Sequence, residues 1–176
     1  KHLPRLPVLT LPLDSALSPI TWCTLPVLLP GFSLDRKAVA VHLPSQQFGA
    51  YESGVLNYWG PISSGAANHP TPPGMFQLNW KSPGRHSTVN PDWFMPWYWN
   101  IDEKRGIAMH AFELPGLPES HACIRLLEHD ARWLYEWGVA GTPVFVIGEY
   151  DFASPPPWRT VEFWNRTVAI DLAGTN

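Results

Sequence analysis

The sequence predicts a mainly β fold with a single helix, and three observations carry that reading. Segments such as KAVAVHL, MFQLNW and TPVFVIG place β-branched and aromatic residues in alternating or continuous apolar runs, the pattern of half-buried and buried strands. Twenty prolines, about double the ordinary ~5% share, cut the chain into short elements, because proline is excluded from helix interiors and central strands. Helical spacing stands out in one segment, where Ala131, Leu134 and Tyr135 share a face and the pairs Glu128–Arg132 and Arg132–Glu136 set opposite charges one turn apart. Gly138 stands where that helix stops.

The elements follow in chain order. Residues 1–34 carry Pro4, Pro7, Pro12, Pro19, Pro26 and Pro30 among Leu, Val, Ile and Trp22, too apolar for a typical disordered tail. They are expected to form an extended segment packed on a domain spanning residues 35–176. KAVAVHL is the first strand. QQFGAY and GVLNYW, joined by ESG, read as a hairpin with Gly54 supplying the permissive backbone. SSGAANHPTPPG is a loop by composition, MFQLNW a strand and KSPGRHSTVNP a second loop. DWFMPWYWN is aromatic-rich and interrupted by Pro96, GIAMHAF is a short strand ending near His110, and TPVFVIG is a buried strand after the helix.

Composition narrows the function. At 176 residues the chain suits one domain with a real core. A formal net charge of −3 without a Lys/Arg stripe argues against nucleic acid as a partner. No apolar run approaches the ~20 residues that span a bilayer, and no apolar h-region of a signal peptide follows Lys1. The ten tryptophans are consistent either with core packing or with the wall of a cleft. Trp59, Trp80, Trp93, Trp97 and Trp99 are the candidates for such a wall.

The chain has two cysteines, Cys23 and Cys123. Four readings of Cys123 stay open on residue types alone. It is a nucleophile activated by His110 or His121, a zinc ligand with those two histidines, half of a disulfide with Cys23, or a buried inert thiol. His121 lies two positions before Cys123, so extended backbone would put both on one face, whereas His110 lies on a strand that a loop could bring alongside.

SHACIRL (residues 120–126) resembles the Ser/Thr-His-Gly-Cys signature of L,D-transpeptidase catalytic domains, the YkuD-like family. Three further segments resemble the family in the same order: VAVHLPSQQFGAYESGVLNY its opening strands, SSGAANHPTPPGMF its Ser-Thr-Gly and Thr-Pro-x-Gly-x-Phe stretch, and DARWLYEWGVAGTPVFV the helix and strand after its cysteine. The ordered set covers residues 37–148 and is far more specific than a lone Cys–His pair. The resemblance implies a β-sandwich of mixed sheets and a cysteine acyltransferase in the periplasm or cell envelope, acting on peptidoglycan stem peptides as donor and acceptor. It implies no metal or organic cofactor, and carbapenems as candidate inhibitors. It assigns Cys123 as nucleophile, His110 as base and His121 as an ordering residue near the oxyanion. Arg125 is placed at the substrate or the loop, and Ser120 in a local hydrogen bond.

Two departures from the pattern matter. Ala122 replaces the signature glycine, which implies either ordinary backbone there or some strain, and in both cases leaves the Ala122 and Cys123 amides available for an oxyanion. The stretch between His110 and Ser120 is shorter than in many members, which bears on substrate preference. Ala111 follows His110, so an acceptor that orients the imidazole from that position must be a backbone carbonyl. The rivals to transpeptidation are hydrolysis of the same acyl-enzyme, as in a carboxypeptidase or amidase, and a catalytically silent wall-binding module.

Overall fold

The computed structural model describes residues 37–115 and 117–153. The expected packing of residues 1–34, and Cys23 within them, lie outside the described residues, as does the end of the expected domain from 154 onward. The strands are β1 (Lys37–His42), β2 (Gln47–Glu52), β3 (Val55–Ser63), β4 (Gly74–Gln77), β5 (Lys81–His86), β6 (Phe94–Asp102), β7 (Ile107–Ala111), β8 (Ile124–Leu126) and β9 (Pro143–Ile147), with one helix, α1 (Glu128–Trp137). They form a nine-stranded sheet in the order β4-β9-β1-β2-β3-β8-β7-β6-β5. Its pairings are antiparallel except β1 with β9 and β7 with β8, so the sheet is mixed.

The β2–β3 hairpin closes as the sequence predicts. Glu52 pairs with Val55, and the two residues between them, Ser53 (φ 52) and Gly54 (φ 76), are both left-handed. That is the two-residue turn whose twist matches the flanking strands.

Two segments differ from expectation. KSPGRHSTVNP is not wholly loop, since residues 81–86 form β5 despite Pro83. β5 is the last strand in the sheet order, where a residue without an N–H costs no ladder bond on the open side. Pro96 does not interrupt its segment either. It pairs with Gly84 of β5, beyond the reach of β7, whose pairing with β6 starts at Trp99.

Trp97, with φ 54, departs from regular strand geometry. Strict alternation would put Met95, Trp97 and Trp99 on one face. Instead Met95 and Tyr98 cluster with Ala108, while Trp97 and Trp99 belong to the main core with Leu134 and Met109. One strand thereby supplies two separate apolar clusters.

The helix occupies the predicted residues, and Ala131 and Leu134 are buried on the predicted face. Of the two charge pairs, Arg132–Glu136 forms at 3.0 Å, and the Arg132 guanidinium also lies over Trp97. α1 packs against β6 and β7, and the Trp99 indole N–H donates to the Leu134 carbonyl at 3.2 Å. Gly138 does end the helix, but for lack of space rather than for handedness. Its φ is −66°, and a Cβ there would meet Leu78 Cδ1 at 2.7 Å and the Leu134 carbonyl at 2.8 Å. Gly138→Ala is therefore expected to destabilise by about 1–3 kcal/mol through overpacking, measured as a shift in the denaturant midpoint at unchanged slope.

Candidate active site

Cys123 immediately precedes β8, which lies between β3 and β7. His110 on β7 is in register with Arg125 on β8, and Met109 with Ile124. Facing residues of a parallel pair point to the same side, and positions two apart share a face. The sheet thus carries His110 and Arg125 to one face, and both line with Cys123 a cleft of about 350 Å³. Trp80, Trp93 and Tyr98 contribute aromatic wall to it. Of the tryptophans considered for a wall, Trp80 and Trp93 serve, whereas Trp97 and Trp99 pack toward the helix and Trp59 is exposed on β3.

The turn that presents the thiol is held from several directions. Ala122 has φ 72, so the alanine that replaces the signature glycine keeps the left-handed backbone and bears the strain, about 1–2 kcal/mol for a residue with a Cβ. This settles against ordinary backbone at that position. It also removes the extended geometry that would have set His121 and Cys123 on one face.

The loop at residues 63–74 clamps this turn. The Ser120 N–H donates to the Ser64 carbonyl at 3.0 Å, and the Ala66 N–H to the Ser120 carbonyl at 2.9 Å. The Ser120 hydroxyl donates to the Cys123 carbonyl, the local bond expected of it. Thr71 Oγ1 accepts from the Gly65 N–H at 2.8 Å and donates to the Ala122 carbonyl at 2.9 Å. Gly65 is required for proximity, since a Cβ there would lie 2.1 Å from the His69 carbonyl oxygen and 2.9 Å from Ala122 Cα.

Behind the clamp sits Gln46, fully buried. Its amide donates to the Ser64 hydroxyl at 2.8 Å and to the Leu43 carbonyl at 2.7 Å, and it accepts from the Ser64 N–H at 2.9 Å. Gln46, Gly65 and Thr71 were not among the site residues read from sequence. For Gly65 and Thr71 the signal lay in the SSGAANHPTPPG segment, whose resemblance marked it without assigning it a task.

The two histidines differ in surroundings. His110 is buried and its Nδ1 lies 2.9 Å from the Ala111 carbonyl. That carbonyl is the backbone acceptor expected from sequence. With Nδ1–H donating there, Nε2 is left as the basic nitrogen. Burial pushes the His110 pKa down to about 4, against the carbonyl bond, which raises it, and the Arg125 charge lowers it further. His121 is exposed and stacks on His69, ring centroids 4.5 Å apart, and tilts against Trp93 at 5.2 Å.

Cys123 is a free thiol. Its sulfur lies 3.7 Å from the Gly106 carbonyl, to which S–H donates weakly. Burial raises the thiol's pKa, while the Ala108 backbone and the Arg125 charge draw it down. Arg125 itself donates to the Glu119 carbonyl at 3.3 Å, and its guanidinium lies over the Phe112 ring. Burial thus favours a neutral thiol beside a neutral imidazole. Among the described residues no cluster of three or more His, Cys, Asp or Glu side chains is placed to hold a metal ion.

Comparison with known proteins bears on this arrangement. The family model of the L,D-transpeptidase catalytic domain matches residues 36–146, so the chain belongs to that family. An L,D-transpeptidase from Stackebrandtia nassauensis is similar in structure, with a TM-score of 0.60 and 26% identity over 65% of this chain and 56% of that one. One from Xylanimonas cellulosilytica gives 0.58 and 27% over 63% and 60%. LdtMt1, an LD transpeptidase solved in complex with imipenem, shares the fold at 0.58 and 19% identity, over 63% and 58%. This chain therefore spans between half and two thirds of the length of those structures. No curated protein matches it significantly.

Three outcomes follow. Gly65→Ala should displace the Ala122–Cys123 turn and reduce thiol alkylation and turnover by at least tenfold. Ala122→Gly should instead raise stability by up to about 1 kcal/mol, since relief of left-handed strain exceeds the added freedom of the unfolded chain; denaturant melts read this. The third concerns pH. His110 titrates near 4 when folded and at about 6.5 when unfolded, so the unfolded chain takes up the proton first as pH falls. The stability is present above the unfolded value and drains away between about pH 6.5 and 4. His110→Asn should flatten the fall in unfolding free energy over that window.

Proposed function

We propose that this chain is a peptidoglycan L,D-transpeptidase of the cell envelope in which Cys123 is the nucleophile, His110 the general base and acid, and His121 an ordering residue. The observation that carries the reading is the placement of Cys123 and an anchored, buried His110 on one face of β7 and β8, inside the region matched by the family. Transfer proceeds in two halves. The Cys123 thiol passes its proton to His110 Nε2 as sulfur attacks the stem-peptide carbonyl carbon. The C–N bond to the departing residue then breaks, and the leaving amine takes the proton from His110. An acceptor amine attacks the thioester, gives its proton to His110, and sulfur departs to recover it as a thiol.

Starting from a neutral pair suits a buried site. The charged imidazolium forms only as the tetrahedral anion develops beside it, where the Ala122 and Cys123 amides stabilise that anion. Arg125 supports the loop through Glu119 and adds positive charge to the cleft. Ser120 fixes the turn from its own position. The fold of an imipenem-bound relative supports carbapenem as a covalent probe of the same thiol.

Incubation with defined muropeptides, with products identified by mass, tests the reading. Wild-type protein should give a cross-linked product; hydrolysed stem peptide without any cross-link would sink transfer in favour of hydrolysis. Cys123→Ala should abolish both the product and an imipenem adduct in intact-protein mass spectra. His110→Ala should cost ~10²–10⁴ in rate, and His121→Ala less; the reverse order would exchange the two roles.

A further inference from the structure

The cleft contains three guanidinium groups, from Arg85, Arg105 and Arg125. Arg105 is paired with Asp102 at 3.3 Å. Arg125 is tied to the Glu119 carbonyl and lies near the Glu113 and Glu119 charges. Arg85 is differently placed. Its guanidinium carbon lies 5.3 Å from the Trp80 ring centroid and 5.1 Å from that of Tyr98. Among the described residues it forms no ion pair with a carboxylate, although Glu103 lines the same cleft.

Two aromatic faces steady this cation without neutralising it. Cation–π contact steadies the guanidinium and one of its donors meets the Tyr98 hydroxyl, while its remaining N–H donors can still meet a carboxylate in a bidentate pair. Tyr98 connects Arg85 to the reacting centre, for its hydroxyl feels the charges of both Arg85 and Cys123. Trp80 and Cys123 also pack against the same Met95–Tyr98–Ala108 cluster. Arg85 reaches this position because β5 is an edge strand hydrogen-bonded to β6, with Arg85 opposite Met95.

We propose that Arg85, braced by Trp80 and Tyr98, is a carboxylate-binding subsite that selects peptide substrates by a free carboxylate close to the Cys123 thiol. This rests on the stem-peptide reading of the site. Two carboxylates of a stem peptide share the required chemistry: the α-carboxylate of its terminal residue and the side-chain carboxylate of its diamino acid.

The test measures binding without turnover. Cys123→Ala protein is titrated, by tryptophan fluorescence, with a disaccharide tetrapeptide bearing both carboxylates and with two versions in which one or the other is amidated. Arg85→Gln in that background should weaken the doubly free peptide between about 10- and 100-fold, the range for a charge-assisted pair. One amidated version should already bind that weakly to the Arg85 protein and lose less than twofold more on Arg85→Gln; which version does so identifies the carboxylate. Arg85→Lys should recover only part of the affinity, because a point charge lacks the planar fork. An equal loss on all three peptides, a loss below twofold, or no binding by any of them overturns the subsite. Acylation of Cys123 in the unsubstituted protein by the same peptides is scored separately. Arg85-dependent binding without acylation overturns the transpeptidase reading and keeps the subsite; acylation indifferent to Arg85 does the reverse.

Discussion

The hydrogen bonds that hold the turn from Ser120 to Cys123 are the constraint on which the site depends. Ala122 is left-handed although it carries a Cβ, and an isolated peptide would not hold it there. Thr71 fixes its carbonyl, Ser120 fixes the carbonyl of Cys123, and Ser64 fixes the Ser120 amide. Each of these partners is short, polar and buried, and each bond is directed at backbone rather than at another side chain. A sulfur held through its own main chain keeps its side chain free of structural bonds. The arrangement extends two layers deep, since Ser64 is in turn gripped by Gln46 at the β1–β2 connection. The position of Cys123 is thereby tied to the first hairpin of the sheet, far away in sequence.

Burial in the cleft favours the uncharged forms of both the Cys123 thiol and the His110 imidazole. Burial acts in opposite senses on an acid and a base, raising the thiol and lowering the imidazole. Arg125 favours the thiolate but disfavours the imidazolium, so its two effects on an ion pair oppose each other. In the proposed mechanism the proton therefore moves during attack rather than before it. Such a thiol is less prone to oxidation or stray alkylation between turnovers, because the reactive thiolate is scarce.

Much of this was legible in the sequence because the informative features are local. The strand at KAVAVHL, the ESG turn and the helical face of Ala131 and Leu134 depend on near neighbours, and each matched the structure, although β1 is buried on both faces. So did the inference that His110 must lean on a backbone carbonyl, which needed only the identity of Ala111. What escaped was set by tertiary position. Pro83 and Pro96 read as breakers, and only their place at the sheet edge and beyond the end of β7 makes them harmless. β8 has three residues, too few to show a period. Gln46, one glutamine beside another in QQFGAY, looks like surface until the fold buries it. Gly138 was placed correctly at the helix end, but its crowding by Leu78 was invisible without the packing.

The reversal at Trp97 has a bearing on how such a cleft can change. In a regular strand every second side chain shares a fate, so altering the wall of a pocket also disturbs the spacing of the core beneath it. Here the left-handed residue separates the two duties along a single strand: Met95 and Tyr98 turn to one apolar cluster, Trp97 and Trp99 to the other. Substitutions at Met95 or Tyr98 can vary what the wall accepts while the tryptophans continue to seat the helix. The strand acts as a partition between a part of the protein free to diversify and a part that must stay constant.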